Sequence, residues 1–447
     1  MKILVLNGSP KGEYSITLQT VYYLQKKYKD CEFEVLHVGQ RIKALEKDFT
    51  TAAKAIREAD VLLFSYPVYT FIAPYQLHRF IELMKEQKVE VSGKYATQIS
   101  TSKHFYDVTA HRYIMENAQD MGMKFVRGLS ADMDDLLEAK GQKEAELFME
   151  YFLWCVERDI YEPIPERPEG KPLETTDVVE NNSSKDTSKE IVIVTDCEKD
   201  NHALQDMIAR FQAKAAYSSR VVNIREYPFR GGCLGCFNCA VSGKCVYIDG
   251  FDEFLRNDIQ KGDAIVYAFS IKDHSMGAAF KQYDDRQFCN GHRTVTMGMP
   301  IGYIIDGHYS QEENLRMIVE ARCEVGSNFL AGVANNEQDS NLSIDNMAAK
   351  LTYALQKQHV QPQNFFGIGG MKIFRDLIYL MQGMMKADHK FYKAHKQYDF
   401  PQKKKGTVLK MYLVGMLISN PKVKAKMGNA MNEGMIAPYR KVLDKMN

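Results

Sequence analysis

Short runs of aliphatic residues alternate along this chain with stretches whose apolar positions recur every three or four residues. In the first third the runs are KILVLN, FEVLHV, DVLLFSYPV, YATQIS and MKFVRGL, and between them lie SITLQTVYYLQKKY and APYQLHRFIELMKEQ, which have helical spacing. Runs that are apolar at almost every position suit strands buried on both faces. The alternation therefore predicts a parallel sheet with helices on both sides. It stops at ERPEGKPLETTDVVENNSSKDTSKE, whose Pro, Ser, Thr, Asn and charge content is that of a solvated linker.

After that stretch the alternation restarts with EIVIVTD, RVVNI, DAIVYAFS, PIGYII and NFLAGVA. EIVIVTD lines up with KILVLNG at an offset of 188, and GDAIVYAFS with ADVLLFSYP at an offset of 203. One fold used twice is the simplest reading. The fifteen extra residues of the second copy fall between its second and third strands. The expected architecture is α/β: two doubly wound parallel five-stranded sheets in tandem, over residues 1–164 and 190–360, with a linker over 165–189 and a helical extension over 361–447. The Met-rich and aromatic faces of that extension would pack on the two domains or on a second subunit, so a homo-oligomer is expected. The KKK beside an apolar helix offers another reading, contact with a membrane surface.

Composition narrows the class. The 447 residues are 45% hydrophobic and 26% charged with a net charge of +1, the profile of a globular protein without the basic excess expected of a nucleic-acid binder. MKILVLNGSP lacks the long apolar core of a signal peptide, and the longest late apolar run, VLKMYLVGMLI, is interrupted by Lys410. No stretch reaches the roughly 18 apolar residues of a membrane span. A cytoplasmic protein with no integral membrane segment is expected. There, clustered cysteines point to metal binding or catalysis before disulfides.

Candidate chemistry begins after the first strand, where GSPKGEYSITLQ turns straight into a helix. A helix N-terminus with free amides and nearby Ser9, Ser15 and Thr17 hydroxyls suits a phosphate. Simple capping of the helix by Ser15 would account for part of the same pattern. The loop is neither a P-loop nor the G-x-G-x-x-G dinucleotide fingerprint. The third strand ends in SYPVYTFIAPYQLHRFIELM and the fourth in ISTSKHFY. In a doubly wound sheet all three loops meet beyond the carboxyl ends of the strands. Tyr69, Phe71 and Phe105 would there face a flat ring.

GSPKGEYSITL followed by PVYTFIAPYQLHRFIE resembles the NADPH-dependent FMN reductase and iron-sulfur flavoprotein group of the flavodoxin-like fold, over roughly residues 1 to 155. The resemblance implies that the first loop holds the FMN phosphate through Ser9, Lys11, Ser15, Ile16 and Thr17. It implies that Pro67, Val68 and Tyr69 lie along the isoalloxazine, with Thr101 and Ser102 contributing from the fourth strand. Glu13 departs from the pattern by putting a negative charge in the anion loop, and the fourth-strand loop lacks the glycines often found there.

In the second copy FSIKDHSMGAAFKQYDDRQF keeps the outline of the long loop, with Phe280, Lys281, Asp285 and Arg286 in the expected places. Ser270, Ile271 and Lys272 stand where Pro67, Val68 and Tyr69 stand in the first. Its TDCEKDNHALQD replaces the phosphate loop with acids, which disfavours an anion, so this copy is expected to have lost FMN. Its insertion carries Cys233-x2-Cys236-x2-Cys239-x5-Cys245. Three cysteines at intervals of three can wrap one face of a cubane, and the neighbouring glycines permit N-H to sulfur contacts. Zinc, empty thiols and redox-active thiol chemistry are the alternatives. The compact spacing resembles that of the iron-sulfur flavoproteins, which implies that all four hold one 4Fe-4S cluster. Cys31, Cys155, Cys197, Cys289 and Cys323 are expected to be packing residues.

These readings imply an oxidoreductase that passes electrons between NAD(P)H or ferredoxin, a 4Fe-4S cluster and FMN to an electron acceptor, with no side chain acting as acid or base. The alternatives are an NAD(P)H:FMN or quinone reductase with a structural cysteine loop, and a non-catalytic redox carrier or sensor.

Overall fold

β1 (Lys2–Asn7) and β3 (Val61–Pro67) are largely apolar, and both are buried along almost their whole length. A strand of that kind is stable only with neighbours on both edges and cover on both faces. The structure, a computed structural model, describes residues 1–166, 168–179, 184–422 and 430–446. Parts of the expected linker (167 and 180–183) and of the helical extension (423–429) lie outside the described residues.

The first copy runs β1, α1 (Ile16–Lys27), β2 (Glu32–Leu36), α2 (Val38–Leu45), α3 (Thr50–Glu58), β3, α4 (Tyr75–Glu86), β4 (Tyr95–Ser102), α5 (Asp107–Asp120), β5 (Lys124–Phe125), β6 (Leu129–Asp132) and α6 (Ala139–Glu157). Strand order is β2-β1-β3-β4-β5, and β6 pairs with β4 beyond β5. The expected five-stranded sheet thus has five positions, with the last split into two short strands. β2, with Glu32 and Glu34 exposed beside a buried Phe33, forms the edge.

The second copy runs β7 (Asp186–Thr195), α7 (His202–Lys214), β8 (Tyr217–Asn223), the short α8 (Asn238–Ser242) and α9 (Phe251–Phe254), β9 (Ala264–Ser270), α10 (Gly277–Arg286), β10 (Pro300–Asp306), α11 (Glu313–Val325), β11 (Phe329–Asn335) and α12 (Ser340–Lys357). Its order, β8-β7-β9-β10-β11, repeats the first when each copy is counted from its own start. Every pairing in both sheets is parallel. This is the flavodoxin-like order. The cysteine run lies between β8 and β9, in the insertion.

α13 (Phe365–Leu380), α14 (Lys386–Ala394), α15 (Lys405–Ile418) and α16 (Ala430–Leu443) complete the chain. Contacts divide it into two compact units, Met1–Phe391 and Tyr392–Asn447. α13 therefore lies with the sheets, although the sequence reading begins the helical extension at residue 361. β7 likewise starts inside the stretch read as linker. Among the described residues no helix is long and apolar enough to cross a membrane.

The two copies meet through α4 and α10 as two subunits meet across a two-fold axis. Tyr75 N, at the start of α4, donates to Asp285 Oδ2 of α10 at 2.7 Å, and Ala278 N, at the start of α10, donates to Glu82 Oε1 of α4 at 2.7 Å. Tyr75 corresponds to Ala278 and Glu82 to Asp285, each 203 positions later. Each helix thus closes the other's open N-terminus with a carboxylate, the reciprocity of an isologous interface. A single hydrophobic cluster containing Leu77, Phe80, Met276 and Phe280 joins the inner faces, and the outer face of each sheet has a cluster of its own.

His274 sits at the same junction. It is nearly buried, with Nε2 at 2.6 Å from Asp120 Oδ2 and Nδ1 at 3.1 Å from both carboxylate oxygens of Glu312. Glu116 lies within the same group, and Lys85 reaches Asp120 at 3.6 Å. Burial disfavours the imidazolium, but the bonds to Asp120 and Glu312 outweigh it and raise the pKa from 6.5 to about 9. Because the folded value is the higher one, this contribution is complete below pH 6.5 and is lost as pH climbs through 9. It amounts to at most about 3 kcal/mol. Urea unfolding of the wild type should show stability falling across that window. His274→Gln should flatten the fall, and a wild-type stability independent of pH there would refute the assignment.

Candidate functional site

Asn7, the last residue of β1, organises the loop that follows. Its buried Nδ2 donates to Gly12 O at 2.9 Å, and its Oδ1 accepts from Ser9 N at 3.2 Å, which folds the loop back on itself. A single 3-10 turn over Gly12–Tyr14 then delivers Ser15 to the start of α1, where its Oγ accepts from Leu18 N at 3.4 Å. Capping is thus part of what Ser15 does. Helix geometry leaves the N-H groups of Ile16 and Thr17 without an intrahelical partner. Both residues, with Ser9, Lys11 and Ser15, border a cavity of about 370 Å³. Glu13 is exposed and does not border it.

The loop after β3 is a tight turn in which Tyr69 N donates to Ile72 O and Ile72 N to Tyr69 O. Its two middle residues, Thr70 and Phe71, have φ of 42° and 72°. Two successive non-glycine residues in that region carry strain of order 1–3 kcal/mol each. The second copy repeats the turn at Lys272–Ser275, with Asp273 and His274 at φ of 53° and 64°. In the first copy the turn is pinned from the second, because the fully buried Lys281 Nζ donates to Tyr69 O at 3.0 Å and to Thr70 Oγ1. Pro67, Val68 and Tyr69 border the cavity, as do Thr101 and Ser102 from the end of β4. Thr101 Oγ1 is buried without a hydrogen-bond partner, a polar atom available to a ligand.

The cysteine run closes the opposite side, and Cys233, Cys236, Cys239 and Cys245 all border the same cavity. All four are free thiols; Cys236 is exposed and the others are partly buried. Gly235 N donates to Cys233 Sγ at 3.4 Å, the kind of N-H to sulfur contact that favours a bound thiolate. Gly235 is itself required: its φ is +59°, and a Cβ there would lie 1.9 Å from Tyr69 Oη. Second-copy arginines hold the run by its carbonyls: Arg286 donates to Gly231 O (2.9 Å), Arg293 to Cys239 O (3.2 Å) and Arg256 to Gly243 O (2.7 Å). From the first copy, Gln76 Nε2 donates to Cys233 O at 3.2 Å. Arg286 is buried, paired with both oxygens of Asp249 at 2.9 and 2.7 Å, and lies over the Tyr247 ring.

Burial, reinforced by Asp285, pushes the Cys233 thiol well up, and burial, reinforced by Asp388, raises Cys239 to about 11. Both are protonated at neutral pH when unligated, and a metal would have to displace those protons. The donor set suits a thiolate-bound group: four sulfurs facing one space, with glycine amides beside them. Among the described residues, the group of potential ligands that lies within 4.8 Å of one another is Glu116, His274 and Glu312, not the cysteines. A zinc tetrahedron with bonds of about 2.3 Å needs sulfurs roughly 3.8 Å apart. The cysteines as placed are more widely spread than that.

All ten residues that the resemblance implies for FMN and all four cysteines therefore border one space. The sequence reading missed a third contributor, the segment after α10, from which Phe288, His292 and Arg293 border the cavity together with Phe374 of α13. Phe288 meets Tyr69 edge-on at 6.1 Å, and His292 meets Phe374 at 4.8 Å. Asp388, fully buried, anchors this wall through His292 Nδ1 (3.0 Å) and Arg293 (2.7 Å). Cys289 and Cys323, expected only to pack, are buried but also border the cavity.

At the corresponding strand ends of the second copy, polar side chains bond one another. Asp306 Oδ2 accepts from Ser270 Oγ (2.7 Å) and Asn201 Nδ2 (3.3 Å), and its Oδ1 from Asn336 Nδ2 (2.8 Å). Asp196, largely buried, is raised to about 7 by desolvation.

Residues 1–132 match the NADPH-dependent FMN reductase family. The FMN reductase match covers β1 through β6 and ends before the cysteines. No curated protein matches the chain. Among solved structures, general stress protein 14 from Treponema denticola in complex with FMN is similar at 14% identity, over 34% of this chain and 99% of that one, with a TM-score of 0.29. A putative quinone reductase from Klebsiella pneumoniae shows 15% identity over 39% and 91%, with a TM-score of 0.29. An FMN-dependent NADH-azoreductase from Bacillus anthracis in complex with FMN shows 14% over 34% and 99%, with a TM-score of 0.28.

Proposed function

We propose that the chain is an FMN-dependent NAD(P)H oxidoreductase of the iron-sulfur flavoprotein type, with FMN held by the first copy and a 4Fe-4S cluster by the four cysteines. The observation that carries this reading is that the phosphate loop, the two ring loops and the cysteine run of the other copy border one cavity. FMN would supply one- or two-electron chemistry and the cluster one-electron chemistry, so that a hydride donor such as NAD(P)H and a single-electron carrier such as ferredoxin could both be served.

In this reading the residues bind, orient and exclude water. The Ile16 and Thr17 amides, the Ser9, Ser15 and Thr17 hydroxyls and Lys11 would hold the phosphate at the positive end of α1. The turn at Tyr69, fixed by Lys281, would form one edge of the ring site, and Thr101 Oγ1 would be available there for a hydrogen bond. Arg256, Arg286 and Arg293 hold the cysteine loop against that edge. The aromatic wall of Phe288 and Phe374 keeps the space apolar. The second copy, with Asp306 bonded to Ser270, Asn201 and Asn336, would serve as scaffold and cysteine carrier. No protein acid or base is needed for electron transfer.

A second reading, an FMN or quinone reductase with a structural cysteine loop, is favoured by the arginine hydrogen bonds that hold the cysteine run in place through its carbonyls. Protein purified without oxygen separates the two. The first reading expects FMN near one per chain, iron and acid-labile sulfide near four each, and a cluster signal by electron paramagnetic resonance after dithionite. Cys236→Ser should then lose the cluster and keep FMN. Flavin without iron, with NAD(P)H oxidation unchanged in Cys236→Ser, would leave the second reading standing.

A further inference from the structure

The chain's charge is unevenly divided. Its last 56 residues carry twelve Lys and Arg against three Asp and Glu, whereas residues 1–391 carry 46 against 54. A near-neutral protein therefore ends in a segment of net charge +9 attached to a body of net charge −8. The same 56 residues form the second compact unit. Such asymmetry is a signature of binding to a polyanionic surface.

The exposed side chains of this unit specify which surface. In α15, Leu409, Tyr412, Leu413 and Met416 are all exposed and recur at helical spacing, and Val408, Met411, Val414 and Leu417 expose apolar groups on the remaining sides. A helix apolar all round is normally covered. At 14 residues it is about 21 Å long, too short for a hydrocarbon core of about 30 Å. In α16, Met435, Ile436, Tyr439, Val442 and Leu443 are exposed along one stripe, while Arg440 and Lys441 lie off it. Lys404, Lys405 and Lys410 are exposed at and within the start of α15, and Lys422 follows it. The one-sided stripe of α16, and the apolar length of α15 flanked by Lys404, Lys405 and Lys422, fit the boundary between headgroups and acyl chains. A nucleic acid would use the charge and leave the apolar faces uncovered, and an apolar protein partner would leave the charge unused.

We propose that α15 and α16 dock on an anionic lipid bilayer surface, with their exposed apolar side chains entering the interface and Lys404, Lys405, Lys410, Lys422, Arg440 and Lys441 meeting acidic headgroups. The proposal is independent of the proposed reaction, since the residues lining the cavity all precede Tyr392. It concerns attachment to the surface without crossing it.

Full-length protein mixed with vesicles and sedimented tests it. The chain should sediment with mixed phosphatidylcholine–phosphatidylserine vesicles, release as salt rises, and stay in solution with pure phosphatidylcholine. Lys404→Gln, Lys405→Gln and Lys410→Gln together should weaken binding on the order of 100-fold. Leu409→Ser, Leu413→Ser and Tyr439→Ser together should abolish it. Flavin content and NAD(P)H oxidation in detergent-free buffer should remain those of the wild type in both variants, since all six positions are exposed. Two results would overturn the proposal. One is sedimentation that is absent, or is insensitive to salt and to the lysine variant. The other is a concentration-dependent dimer that the serine variant dissociates while vesicle binding is missing, which would show that a second copy covers these faces.

Discussion

Lys281→Met is expected to lower unfolding stability by about 3–5 kcal/mol, because it leaves the Asp285 carboxylate buried without its cation, whereas Asp284 keeps its pair with Arg322. Lys281 is fully buried; its Nζ bonds Asp285 Oδ1 at 2.6 Å and Asp284 Oδ2 at 3.1 Å as well as Tyr69 O and Thr70 Oγ1. Asp285 is buried too, and desolvation already raises its pKa against the pull of Lys281. Removing the ammonium exposes that penalty in full and frees the strained Tyr69 turn. The double variant Lys281→Met, Asp285→Asn separates the two effects. It removes the unpaired charge, and an Asn side-chain oxygen can still accept from Tyr75 N. Urea unfolding of the double variant should recover most of the loss, while flavin binding stays weaker than in the wild type because Tyr69 remains unpinned. An unfolding midpoint unchanged by the single substitution would mean that this lysine is not the buried keystone of the junction.

Ser15→Asp is expected to abolish flavin retention while leaving the fold intact. Aspartate is as good an N-cap as serine, so α1 keeps its bond to Leu18 N. The new carboxylate lies where the phosphate is proposed to sit, and like charges about 4 Å apart in a partly screened site repel by several kcal/mol. Flavin affinity should fall by a factor of roughly 100 or more. Fluorescence titration of apoprotein with FMN measures it, and far-ultraviolet circular dichroism checks the helix. Retained affinity would move the phosphate to another part of the cavity.

The strands were legible because their signal is local. All ten aliphatic runs identified in the sequence form strands, and the fifteen-residue difference in offset located the insertion between β8 and β9. The candidate FMN residues were legible through a motif carried by contiguous loops. Lys281 and Arg286 could be placed on a helix but not given a task. In KQYDDR, Asp284 and Arg286 occupy positions that correspond to Ile81 and Leu83 of α4. Charges at positions that are apolar in the other copy were the available sign of a buried ion network. The wall made by Phe288, His292 and Phe374 had no such sign, since it joins residues more than 80 positions apart.

By itself the sequence determined two doubly wound sheets, a cysteine-bearing insertion and a phosphate-suited loop, since periodicity, turn chemistry and spacing act over a few residues. The tertiary structure decided that the cysteines of one copy face the candidate flavin loops of the other. That placement follows from the reciprocal α4 and α10 packing, in which each helix caps its counterpart and Lys281 of one copy fixes the Tyr69 turn of the other. Such contacts gain their energy from burial across a junction between residues some 200 positions apart. No local pattern along the chain records which faces will meet.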